Sequence, residues 1–134
     1  MSREAVSGIE RKRKEEGAGY RDLLVWQRAM AWAEAVYALT RAFPKPKQYG
    51  LTAQLRRSVV SVASNIAEGW GRGATGEYRQ FLRYARGSLF EAETQLELAL
   101  RLGVAEPGKV RAALGQSDEI SRMLLGLMRS LRDR

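Results

Sequence analysis

The 134-residue sequence predicts an all-α fold, an antiparallel up-down-up-down four-helix bundle, on three observations. Four segments repeat apolar residues at spacings of 3 and 4, which places them on one face of a helix. Proline or clustered glycine separates the segments. No stretch alternates apolar and polar residues with period two, so no sheet is expected.

Residues 1 to 19 alternate charge with Gly and Ser and include the run Arg11, Lys12, Arg13, Lys14, Glu15, Glu16. A mobile charged arm is expected there, followed by a single domain over residues 20 to 134. The first helix starts at Asp22, a residue able to cap its first turn, and follows the stripe Leu23, Trp26, Met30, Ala33, Tyr37, Thr40 to about Phe43. Pro44 and Pro46 forbid its continuation. The second helix carries Leu51, Leu55, Val59, Val62, Ile66 and Gly69, and stops where Gly69, Gly71, Gly73 and Gly76 crowd together.

Thr75 is the expected N-cap of the third helix, with Glu77 in its first turn, where the helix dipole favours an acid. Its stripe is Tyr78, Leu82, Ala85, Leu89, Ala92, Leu96, Ala99, and Gly103 follows as the stop. Pro107 opens the fourth helix, whose stripe is Val110, Leu114, Ser117, Ser121, Leu124, Met128, Leu131. Connections too short to cross a bundle make neighbouring helices antiparallel. Ser58, Ser61, Ala63, Ser64 and Ala67 give the second helix little bulk away from its stripe, and close helix approach is the expected reason. Trp32, Phe81, Tyr84 and Phe90 lie off the stripes, in either a widened core face or an apolar surface that a partner covers.

A chain of this length buries one core. It has no apolar run near the roughly 18 residues a membrane span needs. Met1 to Gly19 lack the apolar core of a secretory signal, so a cytoplasmic location is expected. With no Cys and no His, the sequence lacks thiol nucleophiles, thiolate metal sites, the commonest general base and the commonest transition-metal ligand. No enzymatic activity, metal or cofactor is expected.

The net charge of +8, from 23 basic and 15 acidic residues, favours polyanionic partners. It is spread evenly, so any basic surface must come from how the fold arranges its faces. Arginines predominate among the cations, and their planar fork suits bidentate phosphate contacts, although coding composition or heat adaptation produces the same bias. In the third helix, Arg79, Arg83 and Arg86 share one face, whereas Glu91, Glu93 and Glu97 occupy the other half. With Arg56, Arg57 and Arg72 these arginines form the candidate phosphate-binding set; pairing with Glu68, Glu77 or a neighbouring subunit is the structural alternative.

Several features from Tyr20 to Gly103 form a specific pattern: Tyr20, Asp22, Leu23, Val25, Trp26; Leu51, Gln54, Leu55, Arg56, Arg57, Ser58, Val59; the run Ser64-Asn65-Ile66-Ala67-Glu68-Gly69; Arg72, Glu77, Tyr78, Phe81, Leu82, Ala85; and Gly87-Ser88-Leu89, Glu91, Thr94. This resembles the four-helix-bundle proteins encoded in intervening sequences of bacterial large-subunit ribosomal RNA genes. That family is related to the accessory variability determinant of diversity-generating retroelements. The resemblance implies a homopentameric ring and, for the retroelement relatives, binding of nucleic acid and of a reverse transcriptase. The arm and the fourth helix fall outside it.

Glu68 sits in the last turn of the second helix, where the dipole disfavours an acid, so a cationic partner such as Arg72 is expected. Asn65 is expected to satisfy groups near the same helix end. The glycine-rich loop lacks a preceding strand and a Gly-Lys-Ser/Thr ending, which argues against a nucleotide cradle. Trp70 and Tyr84 are the aromatic residues placed to stack on a base, while Tyr78 belongs to the core stripe. Two functions follow as expectations. One is a non-catalytic oligomeric nucleic-acid-binding accessory protein, with structured RNA or an RNA/DNA hybrid as ligand. The other is an oligomeric protein-interaction scaffold without nucleic-acid binding, joined through Glu91, Glu93 and Glu97 against the basic half of a neighbour.

Overall fold

The computed structural model describes residues 19–44 and 49–132, so the charged arm, apart from Gly19, and Pro46 lie outside the described residues. Four helices and no strand are found among them: α1 Leu24–Arg41, α2 Tyr49–Trp70, α3 Thr75–Arg101 and α4 Pro107–Arg132. A 3-10 turn over Tyr20–Asp22 precedes α1. One apolar cluster draws residues from all four helices and is centred on Trp32, Leu55, Ile66, Leu82, Leu89, Leu96, Ile120 and Leu124.

Helix boundaries follow local chemistry. Leu23, rather than Asp22, occupies the N-cap position of α1, and Ala74 rather than Thr75 that of α3; neither makes a side-chain cap. At the end of α3, Gly103 adopts φ +72, the Val104 amide donates to the Ala99 carbonyl, and the Gly103 amide donates to that of Leu100. This pair of bonds is the Schellman motif, and glycine enters its left-handed position without a Cβ penalty. Glu106 starts α4, its carboxylate accepting from the amides of Gly108 at 2.7 Å and Lys109 at 3.0 Å. Sequence reading identified Pro107 there but overlooked the acid before it.

The stripes of α2 and α3 fall in the core as expected, apart from half-buried Leu51, but that of α1 divides: Leu23, Ala33 and Thr40 are buried, whereas Trp26, Met30 and Tyr37 are not. The buried face of α1 is Val25, Ala29, Trp32, Ala33, Val36, Leu39 and Thr40, with Phe43 just beyond the helix. The expected Trp26, Met30 and Tyr37 lie one residue on, about 100° around the axis. They line a groove between α1 and α2 instead, with a volume of about 690 Å³. Ala63, Ser64 and Ala67 form its opposite wall, so these small residues leave space rather than admit a close helix.

Close approach does occur at Gly69. A Cβ there would lie 2.8 Å from Phe81 Cβ and 3.2 Å from the Tyr78 carbonyl oxygen, neither of which can swing aside. Alanine ordinarily favours a helix over glycine by about 1 kcal/mol. Here Gly69→Ala is expected to lower stability by about 1–3 kcal/mol, the usual cost of overpacking, measured as a reduced thermal midpoint. A raised midpoint would show that α2 and α3 can separate locally without loss.

Candidate nucleic-acid interface

Cross-helix hydrogen bonds locate the six expected arginines. Arg79 Nε donates to the Met128 carbonyl at 3.2 Å and Arg86 Nε to Ser121 Oγ at 3.4 Å, so both lie along the α3–α4 seam. Arg83 is exposed one position further out, donating to Gln80 Oε1 at 2.8 Å. The three therefore share one edge of α3, as their spacing predicts.

The other three arginines are elsewhere. Arg56 turns toward α1, where Nε donates to Thr40 Oγ1 at 2.9 Å and the guanidinium lies 4.7 Å from the Tyr37 ring centroid. Arg57 is exposed beside the α2–α3 seam. Arg72, in the turn between those helices, lies 4.6 Å over the Phe81 ring. Its expected pairing with Glu68 is not made; among the described residues Glu68 is exposed and has no ion-pair partner. A cation over an aromatic face is worth about 0.5–1 kcal/mol at an exposed site, comparable to a surface ion pair.

Packing adds two arginines that sequence reading had not included. The Arg79–Met128 bond brings the start of α3 alongside the end of α4, where Arg129 and Arg132 are exposed in the last turn. Among the described residues, no acid lies between Glu77 and Glu91 on α3 or beyond Glu119 on α4. Glu77 belongs to the α2-facing edge with Tyr84 and Ser88, by its seven-residue spacing from Tyr84. Arg79, Arg83, Arg86, Arg129 and Arg132 thus form a carboxylate-poor basic end. The available signal was the basic last turn of α4, which sequence alone reads as compensation for the helix dipole.

The glutamates assigned to subunit contacts also have local partners. Glu91 accepts from buried Ser58 at 3.0 Å and Glu93 from buried Ser117 at 2.7 Å, while Glu97 is exposed. Reversing all three charges would therefore disrupt two interhelical bonds as well as any subunit contact. Asn65 serves its own helix, its Nδ2 donating to the Ser61 carbonyl at 2.8 Å and to Ser61 Oγ at 3.0 Å; Ser61 Oγ in turn lies 2.9 Å from Ser88 Oγ.

Of the two aromatic residues expected to stack, Trp70 is buried against Tyr78 in an edge-on pair; of the large residues off the stripes, Trp32 lies in the core. Tyr84 is 50% exposed and Phe90 also reaches solvent, with Arg86 lying 4.9 Å over the Phe90 ring. No group of three or more His, Cys, Asp or Glu able to hold a metal occurs among the described residues, and no helix is long and apolar enough to cross a membrane.

Residues 21–126 match the family model of the 23S rRNA-intervening sequence protein. In fold, the chain is similar to the crystal structure of a protein with unknown function from the S23 ribosomal protein family of Bacteroides thetaiotaomicron VPI-5482. That likeness has a TM-score of 0.71 and 21% sequence identity, and covers 78% of this chain and 98% of that one. No curated protein matches the chain.

Proposed function

The chain belongs to the family of 23S rRNA-intervening sequence proteins, and from that premise we propose that it is a non-catalytic, cytoplasmic, oligomeric nucleic-acid-binding protein whose ligand is structured RNA or an RNA/DNA hybrid. The observation that carries this reading is the carboxylate-poor end formed by Arg79, Arg83, Arg86, Arg129 and Arg132. Neutralising phosphates releases condensed counterions, so binding to such a surface weakens steeply as salt rises. The test is filter binding of a folded RNA hairpin between about 50 and 200 mM salt. Affinity that is absent, or independent of salt, would sink the proposal. The reverse transcriptase of a diversity-generating retroelement is the protein partner that the resemblance implies.

The up-down-up-down topology is part of the same proposal. It is supported by contacts that pair residues in opposite chain order: Ser58 with Glu91 and Ser61 with Ser88, Arg79 with Met128 and Arg86 with Ser121, Arg28 with Glu119 and Trp32 with Ala113.

The homopentamer implied by the resemblance has support in the α1–α2 groove, where Met30 and Val60 leave apolar surface in water. That groove also favours a second reading, an interaction scaffold without nucleic-acid binding. If copies of the chain meet there, Val60→Glu is expected to shift the protein to smaller species in sedimentation velocity. Glu97→Lys tests the acidic contact without breaking the bonds of Glu91 or Glu93. A sedimentation profile unchanged by Val60→Glu would remove the groove from the interface.

A further inference from the structure

The arginine edge of α3 does not end at Arg86. Arg79, Arg83, Arg86 and Phe90 follow one another at spacings of 4, 3 and 4, so the four share one stripe of the helix. Exposed Glu97 lies seven residues further along the same stripe. The line therefore passes from cationic to anionic at Phe90, and an uncharged ring stands at the junction. Phe90 is 44% exposed even with the Arg86 guanidinium 4.9 Å over its ring. Apolar surface left in water costs free energy that a partner covering it would recover.

The surroundings of the ring favour a nucleobase over an apolar protein surface. The other exposed apolar residues of the acidic half of α3, Leu98 and Leu102, are turned about 80° and 120° away from Phe90 and lie about 12 and 18 Å along the axis, so no continuous apolar face includes it. On the other side, Arg86, Arg83 and Arg79 stand about 6, 10.5 and 16.5 Å back along the axis. Those short intervals suit successive phosphates of an unstacked strand. Phosphates are drawn to the arginines and repelled by Glu97, whereas a base is uncharged and needs a ring to stack on. Tyr84, the other exposed ring of α3, lies about 120° around the axis from Phe90. It shares an edge with Ser88 and Glu91, beside a polar groove along the α2–α3 seam that Arg57, Ser58 and Ser61 also line, and the Glu91 carboxylate there disfavours a phosphate.

We propose that Phe90 is a stacking platform for one unpaired base, carried by a strand whose phosphates run along Arg86, Arg83 and Arg79. The ligand is then single-stranded where it meets the middle of α3, as in a loop or a tail, and continues toward the exposed Arg129 and Arg132 of α4. Arg86 touches the ring, so a base laid on Phe90 brings its own phosphate to that guanidinium. Every base has a face to stack, so no base preference is expected. The inference rests on the nucleic-acid reading and adds the form of the ligand and the residue that recognises it.

The test compares single-stranded oligouridine with a fully paired RNA duplex, using the wild-type chain, Phe90→Ala, Phe90→Leu, Phe90→Trp and Tyr84→Ala. Phe90→Ala should weaken oligouridine binding roughly 5- to 150-fold, the range spanned by one base–aromatic stack, while leaving duplex affinity unchanged. The salt slope should also stay the same, because the ring meets no phosphate. Phe90→Leu keeps apolar bulk without a ring and should lose affinity as Phe90→Ala does, whereas Phe90→Trp should retain it. Tyr84→Ala should bind as wild type. Undiminished oligouridine binding by Phe90→Ala, or a loss confined to Tyr84→Ala, overturns the inference even if salt-dependent duplex binding upholds the broader reading. An equal loss for both RNAs, or a sedimentation profile altered by Phe90→Ala, would assign the ring to a protein contact and overturn it as well. Failure of the wild-type chain to bind any RNA overturns both.

Discussion

Replacing Arg79, Arg83, Arg86, Arg129 and Arg132 together by glutamine is expected to weaken RNA binding at least a hundredfold near 0.1 M salt and to flatten its salt dependence. Each phosphate contact contributes about 0.7 to the slope of log affinity against log salt for single strands and about 0.9 for duplexes. If all five arginines meet phosphates, the slope falls by roughly 4. Between about 50 and 200 mM salt, a slope of that size changes affinity by two to three orders of magnitude, so the difference is easily measured.

Arg79 and Arg86 also hold α3 to α4 through Met128 and Ser121, so the full variant risks loosening that seam. In the subset Arg83, Arg129 and Arg132 all three residues are exposed and Arg83 bonds within its own helix, so replacing these three alone should lower the slope by about 2 to 3. A wild-type slope in either variant would move the interface elsewhere. The first alternative is Arg57 and Arg72 on the α2–α3 side, which these substitutions do not touch.

How much of this surface could be read from sequence depends on which physical signal fixed each part. Periodicity located all four helices, and the spacing of Arg79, Arg83 and Arg86 put them on one edge without reference to any partner helix. Arg56 and Arg57 part company because adjacency says nothing of direction: neighbours on a helix differ by about 100°, which turns one toward Thr40 and the other toward α3. Arg129 and Arg132 join the edge only through packing, since nearly 50 residues separate Met128 from Arg79. The α2–α3 groove was hidden for a related reason. Ser58 and Ser61 looked merely small, and only the register with Glu91 and Ser88 makes them the wall of a polar slot.

The first helix presents the sharpest ambiguity, and it leads to the largest expected effect on stability. Two apolar stripes run along α1, and sequence gave no reason to prefer Val25, Ala29, Trp32, Val36 and Leu39 over Trp26, Met30 and Tyr37. In the structure Trp32 is 0% exposed and its Nε1 donates to the Ala113 carbonyl of α4 at 3.1 Å, whereas Trp26 is half-buried at the groove.

Truncating a fully buried tryptophan removes its transfer free energy and leaves a cavity, so Trp32→Ala is expected to cost about 3–5 kcal/mol. Against the 5–15 kcal/mol typical of a whole domain, that is a large share of the total, and the thermal midpoint should fall by roughly 10–20 °C. Trp32→Phe keeps most of the ring and loses the indole donor, so about 1–2 kcal/mol is expected. Trp26→Ala should cost less than Trp32→Ala, because its ring already meets water. Urea unfolding followed by far-ultraviolet circular dichroism, at one fixed protein concentration so that assembly does not shift the comparison, separates the three variants. Equal destabilisation by Trp26→Ala and Trp32→Ala would mean that the groove is sealed in the folded protein and that α1 buries both stripes. The α1–α2 surface would then be part of a core and unavailable to any partner.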